Sequence, residues 1–225
     1  MTFSALWFQG DCSAGCGRRT VQLDFVTWLE DWGCGCLRRS GVADRRIGGS
    51  CEGVAMLIAM VGLPGAGKSS VAEALGRKLN APVVSVDPIE AAMWRAGVTR
   101  DQPTGLAAYV VAEAVADGVL GMDQTVIVDA VNAVEAARGQ WRSLADRHDV
   151  PAVFIEVLCS DPVVHRRRLE SRSRGIEGFA EPTWEVVERL REELVSWTDH
   201  RLVLDTMTGL SANVATTLGF LSAPA

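Results

Sequence analysis

Lysine is almost missing from this chain. Only Lys68 and Lys78 stand among its 22 basic residues, the remainder being arginine, while alanine, valine and glycine abound. That pattern reads as a codon bias toward GC-rich DNA, so arginine-rich stretches carry less functional weight than usual. Positive charge is not in excess either: the net charge is −6, which argues against a general nucleic-acid-coating role. No run of about eighteen apolar residues occurs, which disfavours a membrane-spanning helix. The N-terminus lacks the basic-then-apolar layout of a signal peptide. The expected location is therefore cytoplasmic, with no membrane partner. The common C-x-x-C zinc-ribbon spacing is also missing: Cys12, Cys16, Cys34, Cys36 and Cys51 fall in C-x-x-x-C and C-x-C patterns or alone, and Cys159 stands apart in a later apolar run. Structural disulfides are not expected in a reducing compartment.

What the sequence does contain is concentrated between Met56 and Leu79, MLIAMVGLPGAGKSSVAEALGRKL. A short apolar segment runs through Gly62-Leu63-Pro64-Gly65-Ala66-Gly67-Lys68-Ser69 into an Ala/Leu-rich helical pattern, which is G-x-x-x-x-G-K-[ST] in strand-loop-helix context. Backbone N–H groups must converge on a phosphate there, and Cβ atoms would crowd it, hence the glycines. Lys68 offers a point charge to the outer phosphates, Ser69 a hydroxyl for Mg²⁺, and the helix beginning at Lys68, Ser69 and Ser70 its positive N-terminal end. The expected cofactors are ATP and Mg²⁺. A dinucleotide fingerprint fits less well, because G-x-G-x-x-G is not met.

Residues 1–54 differ from the rest. They hold five of the six cysteines and little periodicity. One reading is a poorly structured upstream extension whose start is assigned too early, since Met56 opens directly into the first strand. The other is a small appended redox or metal module. Residues 55–225 form the expected P-loop domain. Apolar runs at Ala55–Val61, Val83–Val86, Thr125–Asp129, Ala152–Leu158 and Leu202–Leu204 predict five strands. Helical spacing occupies Ser69–Leu79, Ile89–Ala96, Thr104–Leu120, Val134–Arg147, Val163–Arg174, Thr183–Trp197 and Ser211–Phe220. Buried strands separated by helices predict an α/β fold with a five-stranded parallel sheet flanked by helices.

In such a sheet, ligands bind where strands end at their carboxyl side, so the residues there are the ones to weigh. Asp87, in Ser85-Val86-Asp87-Pro88, is placed to accept a substrate hydroxyl proton, or else to cap a helix. Asp129 ends the third apolar run where a Mg²⁺-orienting carboxylate belongs. Asn132 could hold substrate or the catalytic loop, or equally cap the next helix. Arg168 and Arg172, four apart on one helical face, suit a lid over the β- and γ-phosphates. His165, one turn earlier, reads as a surface or packing residue, and Cys159 as a buried strand-end residue. Val186, Val187, Leu190, Leu194 and Trp197 make a packing stripe.

Together GLPGAGKSS, SVDPIEAAM, VIVDAVNA, CSDPVVHRRRLESR and PTWEVVERL resemble the P-loop kinase-like ATP-binding proteins often labelled AAA-family ATPases, and are similar to zeta toxins, chloramphenicol phosphotransferase and polynucleotide kinase domains. The resemblance spans residues 55–225. It implies an adenylate-kinase-like sheet order, a general-base role for Asp87 and an arginine-bearing lid. The expected activity is transfer of the γ-phosphate to a hydroxyl of a small molecule. A polynucleotide 5′-kinase is the alternative, disfavoured by the acidic stretch from Asp87 to Asp123, which sets Glu90, Asp101, Glu113, Asp117 and Asp123 against Arg95 and Arg100. A nucleotide-binding regulatory ATPase without an acceptor is the third reading.

Overall fold

The structure, a computed structural model, describes residues 54–172, 181–195 and 197–223. The expected extension and its five cysteines thus lie outside the described residues, except for Val54. Five strands build the sheet: β1 Leu57–Val61, β2 Val83–Ser85, β3 Val126–Asp129, β4 Ala152–Leu158 and β5 Leu202–Asp205. All neighbours are parallel and the order is β2-β3-β1-β4-β5, the adenylate-kinase-like arrangement. The helices are α1 Lys68–Leu79, α2 Val86–Arg95, α3 Thr104–Leu120, α4 Glu135–Arg147, α5 Pro162–Glu170, α6 Trp184–Val195 and α7 Leu210–Leu221.

β1 is apolar throughout because the sheet is covered on both sides, and all five of its residues are buried. Period-two alternation then divides the core. Leu57, Ala59 and Val61 join Val126, Val128 and Phe154 in a cluster with α3, α4 and α6, while Ile58 and Met60 join Ile127, Ile155 and Leu204 beneath α1 and α7. Burying each large side chain contributes about 1.5–3 kcal/mol relative to exposure. On α3, Ala108, Ala112, Ala116 and Leu120 recur every fourth residue and face the sheet, small enough for close approach. Among the described residues no helix is long and apolar enough to cross a membrane.

Register fixes what meets at the carboxyl edge. Asp129 lies opposite both Met60 of β1 and Ser85 of β2, and Leu158 lies opposite Asp205. The chain leaves five adjacent strand ends along this one edge, with the β1–α1 loop over the centre.

Candidate active site

The loop after β1 is shaped by three glycines in positive φ. At Gly62, φ is 141°, its N–H donates to the Val131 carbonyl at 3.1 Å, and an added Cβ would lie 2.2 Å from the Val157 carbonyl oxygen. Gly65 (φ 82°) is pressed against Leu169, where a Cβ would come within 3.1 Å. Gly67 (φ 103°) is the N-cap of α1 and makes no side-chain cap bond, and the first turn of α1 carries no acidic residue. The amides that open this helix thus have no intrahelical acceptor and no acidic side chain within their own turn, a condition that suits an anion site. Lys68 is buried, with Nζ 3.4 Å from the Leu63 carbonyl oxygen, so it is folded back over the loop rather than extended into solvent.

α5 holds the loop from outside. Asp161 caps this helix through bonds from the Val163 and Val164 amides at 2.9 and 3.0 Å, with Pro162 in the first turn. One turn on, His165 is buried and its Nε2 donates to the Pro64 carbonyl at 2.8 Å. Burial pushes the His165 imidazole below its ordinary pKa, against the opposing effect of the Pro64 bond, with Arg191, Lys68 and Arg168 reinforcing the depression. Packing, one of the two expected readings of His165, is therefore its role.

A cavity of about 800 Å³ opens over these elements, lined by Gly65, Gly67, Lys68, Ser69, Ser70, Ser85, Asp87, Asp129, Val131, Arg168, Arg172, Thr206 and Asn213 among others. The residues singled out along the sequence therefore converge: Lys68, Ser69, Asp87, Asp129, Arg168 and Arg172 share one space. Asp129 is buried and accepts a bond from Ser85 Oγ at 3.4 Å. Arg168 NH1 donates to Thr206 Oγ1 at 2.8 Å and lies 3.6 Å from Cys159 Sγ. Hydrogen bonds from Ser160 and then from the Met207 amide hold the Asp205 carboxyl below the usual carboxylate range.

Four expectations need correction. Asp87 is not a helix cap: β2 stops at Ser85, which takes the N-cap position, and Asp87 lies in the first turn of α2. Arg168 and Arg172 do not share a helix, because α5 ends at Glu170; Arg172 reaches the same cavity from the chain beyond it, 3.8 Å from Glu181. Asn132 does not line the cavity and does not cap α4, whose N-cap is Val134; of its expected readings, holding the loop is the one its bonds serve. It is fully buried at φ 50°, donating from Nδ2 to the Met60 carbonyl at 2.8 Å and accepting from Trp141 Nε1 at 2.9 Å. Cys159 is half-exposed, just past the end of β4. Of the expected stripe, Val187 and Leu194 on α6 and Trp197 beyond its end are buried, and Val186 and Leu190 are partly so.

Ser85 and Thr206 were not singled out from sequence, since a lone hydroxyl at a strand end carries no spacing signal. Arg138 was likewise missed. It is buried, donates to the Asn132 and Ala133 carbonyls, and lies over the Trp197 ring.

A family model described as an AAA domain matches residues 57–195, more than half of the sequence. The chain belongs to that family. No curated protein matches it. Among solved structures, a candidate kinase from Chloroflexus aurantiacus is similar at 19% identity with a TM-score of 0.60, over 74% of this chain and 98% of the other. Kti12 of Chaetomium thermophilum, in complex with ADP-AlF3, is similar at 19% identity and TM-score 0.54, over 74% and 100% of the two chains. The Mycobacterium tuberculosis APS kinase CysC, in complex with AMPPNP and APS, is similar at 18% identity and TM-score 0.55, over 76% and 99%. This AAA domain has the P-loop kinase fold.

Proposed function

We propose that residues 55–225 form an ATP- and Mg²⁺-dependent phosphotransferase that moves the γ-phosphate to a hydroxyl of a small molecule. The observation that carries this reading is the convergence in one cavity of the glycine loop, Lys68, the Asp129 carboxyl at the end of β3, the Asp87 carboxyl in the first turn of α2 and two guanidinium groups. The loop Gly62, Leu63, Pro64, Gly65, Ala66, Gly67, Lys68, Ser69 and Ser70 encloses the triphosphate, with the amides that open α1 and the Lys68 ammonium as its donors, the Gly62 and Ala66 amides being bonded to the Val131 and Leu63 carbonyls. A cradle in which Gly65 and Gly67 admit no Cβ without crowding Leu169 or Thr206 suits a close-fitting anion.

Among the described residues no group of three or more His, Cys, Asp or Glu is placed to hold a metal by itself. Ser69 and Asp129 both line the cavity, and a hydroxyl with one carboxylate is the donor set that suits Mg²⁺ shared with phosphates and water. When bound, the ion would offset charge on the β- and γ-oxygens. Ser85 steadies Asp129 for that task. Asp87 accepts the acceptor's proton as its oxygen attacks, and Arg168, aimed by Thr206, acts with Arg172 on charge developing in transfer.

Replacing Asp87 tests the assignment of the base. The Asp87→Asn protein should bind ATP within about two-fold of the unmodified chain while its kcat falls about 10²–10⁴-fold. Undiminished transfer by that variant would remove Asp87 from the chemistry. If the unmodified protein releases only free phosphate whatever hydroxyl compound is supplied, the regulatory ATPase reading replaces this one.

A further inference from the structure

Arg138 is an unusual residue to find in a core. It stands on the buried side of α4 with Ala137 and Trp141, and only 3% of it is exposed. Its NH2 meets one carboxylate, Glu135, at 3.1 Å, and the Glu135 side chain is itself 64% exposed. Its Nε is buried and has no acceptor among the described residues. A buried cation with an exposed counter-ion and an unmade bond stabilises a fold poorly, because desolvation offsets most of the attraction. What Arg138 does hold is backbone: NH1 donates to two successive carbonyls, Asn132 at 3.1 Å and Ala133, while the guanidinium carbon lies 4.8 Å from the centre of the Trp197 ring. Those carbonyls belong to the turn after β3, which carries three parts of the site. Asp129 opens it, Ala130 and Val131 line the cavity, and the Val131 carbonyl accepts the Gly62 N–H at the start of the P-loop. The turn is tied at Asn132 to β1 through Met60, to α4 through Trp141, and to α3 through its N–H on the Tyr109 hydroxyl at 3.3 Å. Arg138 fixes the carbonyl side of the same residue.

We propose that Arg138 is a positioning residue for the Mg²⁺ and nucleotide site: seated on Trp197, it sets the turn that aims Asp129 and anchors the start of the P-loop. This rests on the reading of Asp129 as the Mg²⁺ carboxylate. Arg138 is not among the residues lining the cavity and acts only through the turn. Arginine suits the task because its planar group can lie on an aromatic ring while NH1 meets two carbonyls and NH2 a carboxylate. The lysine ammonium, a hydrated point charge, cannot lie flat on the ring. Residues behind a metal ligand set its orientation, and losing one typically costs about 10–100-fold in metal affinity. Ser85 bonds Asp129 directly, whereas Arg138 acts through the backbone that follows it, so its loss should cost less than that of a direct partner.

The test is binding of a fluorescent ATP analogue to the full chain, in Mg²⁺ and in EDTA, for the unmodified protein, Arg138→Met, Arg138→Lys and Asp129→Asn. The quantity read is the ratio of the two affinities, which a mere loss of stability does not move in a protein that remains folded. Arg138→Met keeps the length and apolar packing of the side chain and should shrink the ratio about five-fold, with Asp129→Asn shrinking it further. Arg138→Lys keeps the charge but not the seat on Trp197, and should shrink it in the same direction by less; it decides the matter if Arg138→Met does not fold. A ratio unmoved in the folded Arg138 variants but shrunk by Asp129→Asn would overturn the positioning role and leave the Mg²⁺ assignment standing. A ratio that Asp129→Asn leaves unmoved, or no gain from Mg²⁺ in the unmodified protein, would overturn both.

Discussion

Gly62 shows how tightly single residues govern the site. It sits where β1 gives way to the P-loop, anchored to Val131, with the Val157 carbonyl occupying the space of a side chain. Even alanine would meet both a positive φ and a backbone oxygen at 2.2 Å. Gly62→Ala should therefore cost about 3 kcal/mol or more of stability, read as a lowered urea midpoint with unchanged m-value. Asn132 is the residue-scale counterpart. Both its amide groups are committed to Met60 and Trp141, so the β3–α4 turn is fixed from inside the protein. The sequence around it, Asp129-Ala130-Val131-Asn132, could not reveal this, because the partners lie 72 positions before and 9 after it in the chain.

At the scale of elements, α5 acts as a clamp on the phosphate loop. His165 and Leu169, four apart on one face, bear on Pro64 and Gly65, while Arg168 from the neighbouring face reaches Thr206. Burial in the clamp disfavours the charged imidazole. Because the folded-state pKa of His165 is depressed, the unfolded chain takes up a proton near the ordinary value of 6.5 where the folded protein does not. Stability should therefore decline as pH falls below about 6.5, and continue to decline until the folded value is reached. In His165→Gln the side-chain amide can still donate to Pro64 without titrating. Urea midpoints measured from pH 5 to 8 should show a shallower acid slope in that variant than in the unmodified chain; identical slopes would assign the acid loss elsewhere. The element boundaries were legible wherever pattern and punctuation agreed: α3 at Thr104–Leu120 and β4 at Ala152–Leu158 match the expected spans. They slipped where punctuation was weak. Nothing in Arg168–Arg174 signals a stop, so the expected helix ran past Glu170.

For the whole molecule, the sheet order decides the site. Strands adjacent in space but not in sequence bring Asp129 between Met60 and Ser85, and the β1–α1 loop opens at the centre of the same edge. The five strands and their parallel arrangement followed from the alternation of apolar runs with helices. The strand order came from the resemblance of the motifs, since no local pattern encodes which strand lies beside which. The site residues were legible to the extent that phosphate chemistry demands particular types at particular spacings, as at Gly62–Ser69. Ser85, Thr206 and Arg138 have tasks defined only by neighbours that folding supplies.

Phosphoryl transfer to a small hydroxyl compound is the activity proposed for this shared cavity. Incubating the protein with γ-labelled ATP, Mg²⁺ and a metabolite extract tests it most directly, with Lys68→Ala as the control. A labelled small molecule should form with the unmodified protein and be missing with the Lys68→Ala variant. Label found only in free phosphate, or a labelled species that forms equally with the Lys68→Ala variant, would contradict it.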